Sequence, residues 1–407
     1  MNPDVRRIFA AQGLRALAYG FASVLLGTSL EARGWSGAEV GVLLTSIVAG
    51  TALLSVIVGT FGDAIGRRRL YAVLYLGLAG SGAAFALADP LWLLCVVAFT
   101  GTMSTDVVES GPFTSLEQAM LPAGLDSRAR TRVFGVYNAV ASLLGSLGAL
   151  GVGGPALLRH LWPALPADQR FFLVFVPVSL VGAAVALSLS DRVEEGRTSS
   201  GRRVPLRRSR SNVLRLSALF AADAFGGGFI IQSFIAYWFA RRFDVSVEAL
   251  GVVFFAMGLL QTASFLVATR VAERIGLLNT MVFTHLPSNL LLALIPLAPS
   301  LPLAIALLLC RFAVSQMDVP TRQTYVIALV DPEERTAAAA YTNTARYVVR
   351  PVGPVLAGAM QQLAVGLPFF VGGGIKAAYD VTLWLWFRRV RLTDHDRASS
   401  TLTPPDG

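Results

Sequence analysis

The sequence predicts an all-α membrane protein with twelve transmembrane helices in two pseudo-symmetric six-helix halves. Three observations carry that expectation. Apolar residues make up 54% of the chain and charged residues 14%, with a mean hydropathy of +0.61, which is not the balance of a water-soluble domain. The apolar residues fall in runs of about 20, the length that crosses a bilayer as a helix. The arginines cluster between these runs and mostly on one side. A net charge of +9 distributed in this way suits anionic lipid headgroups. No nucleic-acid-binding motif accompanies it, and no nucleic-acid partner is expected.

The expected spans are 9–30, 37–59, 70–88, 91–121, 131–157, 170–190, 213–240, 246–268, 277–297, 301–329, 336–362 and 367–387. Arg6, Arg7, the 67–69 triplet, Arg128, Arg130, Arg132, Arg270, Arg274, Arg335, Arg388, Arg389 and Arg391 share one face with the basic central segment. The opposite loops hold Arg33, Arg159, Arg170, Arg241 and Arg242. The positive-inside rule then puts both termini in the cytoplasm of a plasma-membrane protein. The organisation expected is an N-terminal half over 1–190, a basic cytoplasmic linker over 191–212, a C-terminal half over 213–390 and a tail over 391–407. A first apolar run interrupted by Arg15, with no clear cleavage site after it, argues against a signal peptide.

Between the second and third runs stands Gly59-Thr-Phe-Gly-Asp63-Ala-Ile-Gly66-Arg67-Arg68-Arg69. A glycine-rich turn with one carboxylate and three guanidiniums cannot lie in hydrocarbon, so it is a loop at a membrane face. It resembles the signature loop of major facilitator superfamily transporters: Gly59, Asp63, Gly66, Arg67 and Arg68 match, while Ala64 stands where a basic residue is usual. A weaker copy, Thr269-Arg-Val-Ala-Glu273-Arg274-Ile-Gly276, lies at the corresponding place in the second half. Pro112 and Pro320, followed by Asn138 and Asn343 at matching distances, mark the same repeat, as expected for this fold. The resemblance implies that Gly59, Asp63, Gly66, Arg67, Arg68, Glu273, Arg274 and Gly276 form a conformational gate. It also implies that spans 1, 4, 7 and 10 line a central cavity.

Those four spans carry charge inside the membrane: Arg15; Asp106 and Glu109; Asp223; and Arg311, Asp318 and Arg322. Each is expensive there unless it has a partner or a wet cavity, so all seven are candidates for substrate binding or proton coupling. Arg15 and Asp223 fall at corresponding depths and either face one another across the cavity or pair within their own halves, Arg15 with Glu109 or Asp106. Asp106, nearest the midplane, is the preferred proton carrier and Asp223 the runner-up. Asp318 and Arg322 are an i,i+4 pair, whereas Arg311 has no carboxylate near it in its own span. Arg346 and Arg350 are like charges at i,i+4 and need separate partners. Lys376, the single lysine, and Asp380 are expected to neutralise one another. Glu117 reads as a gate or interface element, and Cys95 and Cys310 as small core residues.

The resulting expectation is a proton-coupled secondary transporter of a small solute, acting by alternating access, monomeric and without a cofactor. Nucleotide-binding and zinc-protease motifs are missing, which disfavours a pump or a membrane enzyme. Mixed-sign charge without selectivity rings disfavours a channel. Gly353-Pro354-Val-Leu-Ala-Gly358 resembles the GPxxGG element that proton-coupled drug exporters carry in span 5, although here it stands in span 11. Export is favoured over uptake or uniport.

Overall fold

The computed structural model describes residues 3–104, 106–108, 111–121, 127–163, 169–194, 208–331 and 334–390. Among them are helices and turns and no strand. In the first half α1 (Pro3–Ala32), α2 (Gly37–Ile65) and α3 (Arg67–Leu87) are continuous. Two short helices, α4 (Leu91–Phe99) and α5 (Pro112–Met120), follow. Then come α6 (Ser127–Leu150), α7 (Gly154–Leu161) and α8 (Phe175–Leu187). The second half contains α9 (Arg210–Gly228), α10 (Gln232–Phe243), α11 (Val247–Ile275), α12 (Leu277–Leu294), α13 (Leu301–Ser315), α14 (Asp318–Leu329), α15 (Arg335–Val349), α16 (Val352–Leu363) and α17 (Leu367–Phe387). Among the described residues, nine stretches are long and apolar enough to cross a membrane unaided. The fourth and eleventh expected spans are interrupted, and α17 is made less apolar by Lys376 and Asp380. Leu76, Phe283, Leu290 and Leu385 are more than half exposed, as side chains facing lipid are.

The fourth expected span, 91–121, is not one helix. Its centre reads Thr-Gly-Thr-Met-Ser, rich in turn formers, and Pro112 stands at the start of α5, where its missing N–H costs nothing. Unwound backbone at membrane depth survives only where protein satisfies it or where it lines a cavity. The Tyr19 hydroxyl donates to the Thr102 carbonyl at 2.7 Å and the Thr51 hydroxyl to Met103 at 3.0 Å. The seventh, tenth and eleventh expected spans also break midway, at 229–231, 316–317 and 350–351.

The halves meet closely at the end of the bundle far from the chain termini. α1 crosses α10 where a Cβ on Gly27 would strike the Ser233 carbonyl, and α2 crosses α16 where Gly37 and Gly41 face Gly358 and Pro354. Ser142 of α6 donates to Gly258 of α11 at 3.2 Å nearer the middle. Within the first half Gly145 and Gly148 lie against Gly20 and Leu17 of α1, the close approach their spacing predicts.

The two signature turns share one geometry. Gly66 at φ 103° and Gly276 at φ 84° each end one helix and begin the next, donating to Gly62 at 3.1 Å and Ala272 at 2.9 Å. Only glycine adopts this backbone without strain. No atom lies within 4 Å of where a Gly276 Cβ would point, so Gly276→Ala tests backbone strain alone. It is expected to cost about 1 kcal/mol, read as a lower midpoint of thermal unfolding in detergent; an unchanged midpoint contradicts the strain argument.

Glu194, just past α8, accepts from the backbone N–H of Arg67 at 3.1 Å and of Arg68 at 2.9 Å. It thereby caps the start of α3, a favoured place for negative charge. In the second half Glu334 receives the Arg208 and Ser209 N–H groups, each at 3.0 Å. Both ends of the central segment are thus tied to their own halves, and α9 begins at Arg210, inside the stretch expected as linker. Cys95 is half-buried, but Cys310 is exposed on α13, so it is a surface residue rather than a core one.

Candidate functional site

A cavity of about 220 Å³ lies between the halves. Asp106–Val108 of the unwound fourth segment, α6, α9–α14, Arg346, Arg350 and Lys376 line it. The helix breaks cluster here, because a wet cavity can hydrate backbone that hydrocarbon cannot. The cavity gathers Asp106, Asp223, Arg311, Asp318 and Arg322 from the expected site residues. Arg15 is not among the lining residues, and Glu109 lies outside the described residues.

Arg15 meets neither Asp223 nor Asp106. Its guanidinium grips Glu117 of α5 with both terminal nitrogens, Nη2 to Oε2 at 2.8 Å. It also lies 4.5 Å over the Phe113 ring and donates to Tyr75 at 3.2 Å. Tyr71 and Tyr137 donate to the two Glu117 oxygens. Arg15 and Glu117 are 1% and 0% exposed, a wholly buried pair inside the first half. Glu117, expected as a gate or interface element, is thus the buried partner of Arg15. The i,i+4 tyrosines 71 and 75 on the third span are the signal that would have revealed the cluster.

The second half holds a denser network on the cavity wall. Asp223 of α9 binds Lys376 of α17 and lies 3.5 Å from Arg322, which in turn holds Asp318 at 3.1 Å. The i,i+4 pair of α14 thus exists but is shared with a third residue. Asp380 does not pair with Lys376: it accepts from His285 Nδ1 at 2.9 Å and Asn289 at 2.8 Å, both on α12. His285 Nε2 points toward Asp223 at 3.9 Å, so one imidazole stands between two carboxylates with Tyr379 against its ring. The lone histidine of span 9, with Asn289 one turn on, was the unread signal: polar groups four apart on an otherwise apolar helix face share one neighbour.

Asp106 finds its partner across the halves. Its Oδ2 lies 3.1 Å from Arg350 Nη2 at the α15–α16 break, while Oδ1 accepts the Val108 N–H at 3.1 Å. The like charges of the eleventh span are thereby separated: Arg350 bonds Asp106, while Arg346 acts on Asp223 through space. Arg311 makes no hydrogen bond or ion pair with any described residue; its guanidinium lies 4.7 Å over the Phe312 ring and its Nε is buried.

At the signature loop Arg68 binds the Leu189 carbonyl at 2.9 Å and Asp191 at 3.0 Å, and Arg67 the Val193 carbonyl at 3.3 Å. These arginines fasten the end of the sixth expected span to the third. Gly59 lies within α2, and the Asp63 side chain lies outside the described residues. Glu273 and Arg274 are exposed and form no hydrogen bond or ion pair among the described residues.

A model described as Major Facilitator Superfamily matches residues 8–354 and 217–402. The membrane protein YJR124C of Saccharomyces cerevisiae is 26% identical over 420 residues, covering 94% of each chain. The puromycin resistance protein pur8 of Streptomyces alboniger is 26% identical over 428 residues, covering 87% of this chain and 82% of its own. The fold is similar to that of a bacterial homolog of the human lysosomal transporter Spinster in an inward-facing and occupied conformation. There the TM-score is 0.71 at 16% identity, with 96% of this chain and 97% of the other covered. An unbroken match over the two helical halves and a charged cavity between them lead to one conclusion: the chain belongs to the Major Facilitator Superfamily, as a multi-pass membrane transporter and not an enzyme.

Proposed function

We propose that the chain is a proton-coupled secondary transporter of a small solute, and that His285, held between Asp223 and Asp380, carries the proton. One observation supports this above others: an imidazole held between two carboxylates at membrane depth, beside the cavity. Imidazole is the side chain that ordinarily titrates near neutrality, and intramembrane carboxylates are the usual proton relays of transporters. Asp106, expected as carrier, is partly exposed and committed to Arg350, which suits a tie between halves better.

In this reading residues 1–190 and 213–390 rock about the cavity as one monomer in the plasma membrane, joined by the 191–212 linker, with the 391–407 tail and both termini in the cytoplasm and no nucleic-acid partner. The far, closed end is then extracellular and the conformation inward-facing. A proton arriving at His285 adds one positive charge to the wall, so it alters solute affinity in one state more than the other. The sign of the solute sets the direction: an anion is drawn along with the proton, a cation is displaced by it. The name of the pur8 relative favours export.

The test is flux in proteoliposomes with and without an imposed pH gradient, using a solute identified by thermal-shift screening. His285→Gln and Asp380→Asn are each expected to lose at least about tenfold of the gradient-driven accumulation while retaining solute exchange, since losing the proton group or its carboxylate partner removes the driving force but not the cavity. Full gradient response in both variants refutes the assignment. No response in the wild type makes the protein a uniporter or couples it to another ion.

A further inference from the structure

We infer that the solute is a small organic anion and that Arg311 receives its acidic group; this builds on the transport reading above. Among the described residues, the cavity lining carries the cationic side chains of Arg311, Arg322, Arg346, Arg350 and Lys376 and the carboxylates of Asp106, Asp223 and Asp318. The carboxylates are already engaged: Asp106 by Arg350, Asp223 by Lys376 and Arg322, Asp318 by Arg322. Asp223 and Asp318 act on Arg311 only through space.

Arg311 cannot relieve its burial by losing its proton, because guanidinium stays charged in proteins. A buried Nε–H that finds no acceptor among the described residues is unfavourable, more so on a charged group. The planar fork of a guanidinium matches carboxylate or phosphate with two parallel hydrogen bonds. Ile230, Phe254, Met257, Phe265 and Leu292 also line the cavity, so an apolar wall accompanies the charged one. The volume of about 220 Å³ is below the roughly 300–1,000 Å³ of drug-sized pockets. A compact molecule with one acidic group and an apolar body fits both walls. Because protonation of the neighbouring wall adds positive charge, such an anion moves with the proton, which departs from the export the sequence suggests.

The experiment is thermal stabilisation of the purified full-length protein by probes of one size and different charge: benzoate, phenyl phosphate, benzyl alcohol and benzylamine, each titrated to about 20 mM at constant ionic strength. Stabilisation by benzoate or phenyl phosphate, with little from the alcohol or amine, is expected, and the stronger of the two anions tells carboxylate from phosphate. Arg311→Gln should weaken that response at least about tenfold and Arg311→Lys less, since the lysine keeps the charge without the fork. The inference is overturned if neither anion stabilises the wild type, if the amine or alcohol does so equally well, or if Arg311→Gln responds like the wild type. The charge series in the wild type decides even if the variant does not fold. Binding in detergent needs no gradient, so loss of proton response with anion binding intact sinks the coupling reading alone. Gradient-driven transport of a non-anionic solute sinks this one alone.

Discussion

Replacing Glu117 with alanine is expected to be among the most damaging single changes in this chain. It leaves the Arg15 guanidinium buried without its carboxylate, and removes the acceptor of the Tyr71 and Tyr137 hydroxyls. Breaking a buried ion pair from one side costs about 3–5 kcal/mol, because the surviving charge stays desolvated. The measurement is thermal unfolding in detergent, with a midpoint about 5 °C lower or no folded protein recovered. The control that isolates the mechanism is the double variant Arg15→Gln with Glu117→Gln. Its amides carry no charge and can hydrogen-bond one another. The amide at position 117 can accept from one tyrosine through its oxygen and donate its NH2 to the other hydroxyl, so the pair should recover a good part of the loss. A double variant no more stable than Glu117→Ala would show that shape, not charge, holds this core. Normal stability in Glu117→Ala would remove the argument altogether.

Asp106→Asn is the second large effect, and it should appear in conformation rather than stability. Asparagine can still accept the Val108 N–H but no longer carries the charge that meets Arg350 across the halves at 3.1 Å. Both groups are partly exposed, so the pair is weaker than a buried one. Its loss, about 1–2 kcal/mol, corresponds to a population shift of roughly five- to thirtyfold. Spin labels at Leu161→Cys and Leu363→Cys, exposed positions near the far end in the two halves, would report it in a background lacking Cys95 and Cys310. The fraction with a widened far end should rise in Asp106→Asn and equally in Arg350→Gln. The double variant should add nothing, since both remove one interaction. An unchanged distance distribution in both single variants means the pair does not tie the halves together.

The fold class was legible in the sequence because bilayer insertion acts on composition. Twenty apolar residues in a row, arginines on one side and a glycine turn at Gly66 repeated at Gly276 are one-dimensional signals, and the structure shows the helices and both turns. The charged residues that gather at the cavity were also legible, since any charge in an apolar run stands out and Asp106, Asp223, Arg311, Asp318 and Arg322 all line it. Their partners were not. Spacing along one helix proposed Lys376 with Asp380, yet Lys376 binds Asp223 and Asp380 binds His285. Matching depth proposed Arg15 facing Asp223 across the cavity or pairing with Glu109 or Asp106, yet Arg15 grips Glu117, more than a hundred residues away.

Composition, hydropathy and charge bias along the chain thus determined the helical architecture and the list of costly polar groups, while the family resemblance rested on the signature-loop residues from Gly59 to Arg68. Tertiary structure decided which of those groups meet, where the fourth, seventh, tenth and eleventh spans unwind, and that the cavity-lining Arg311 pairs with none of the described residues. The reason is rotational. Hydropathy reports how deep a residue lies in the bilayer, but a helix can turn any face toward its neighbours, and only the close packing of small residues such as Gly20 on Gly145 and Gly37 on Gly358 sets that rotation and with it every pairing in the cavity.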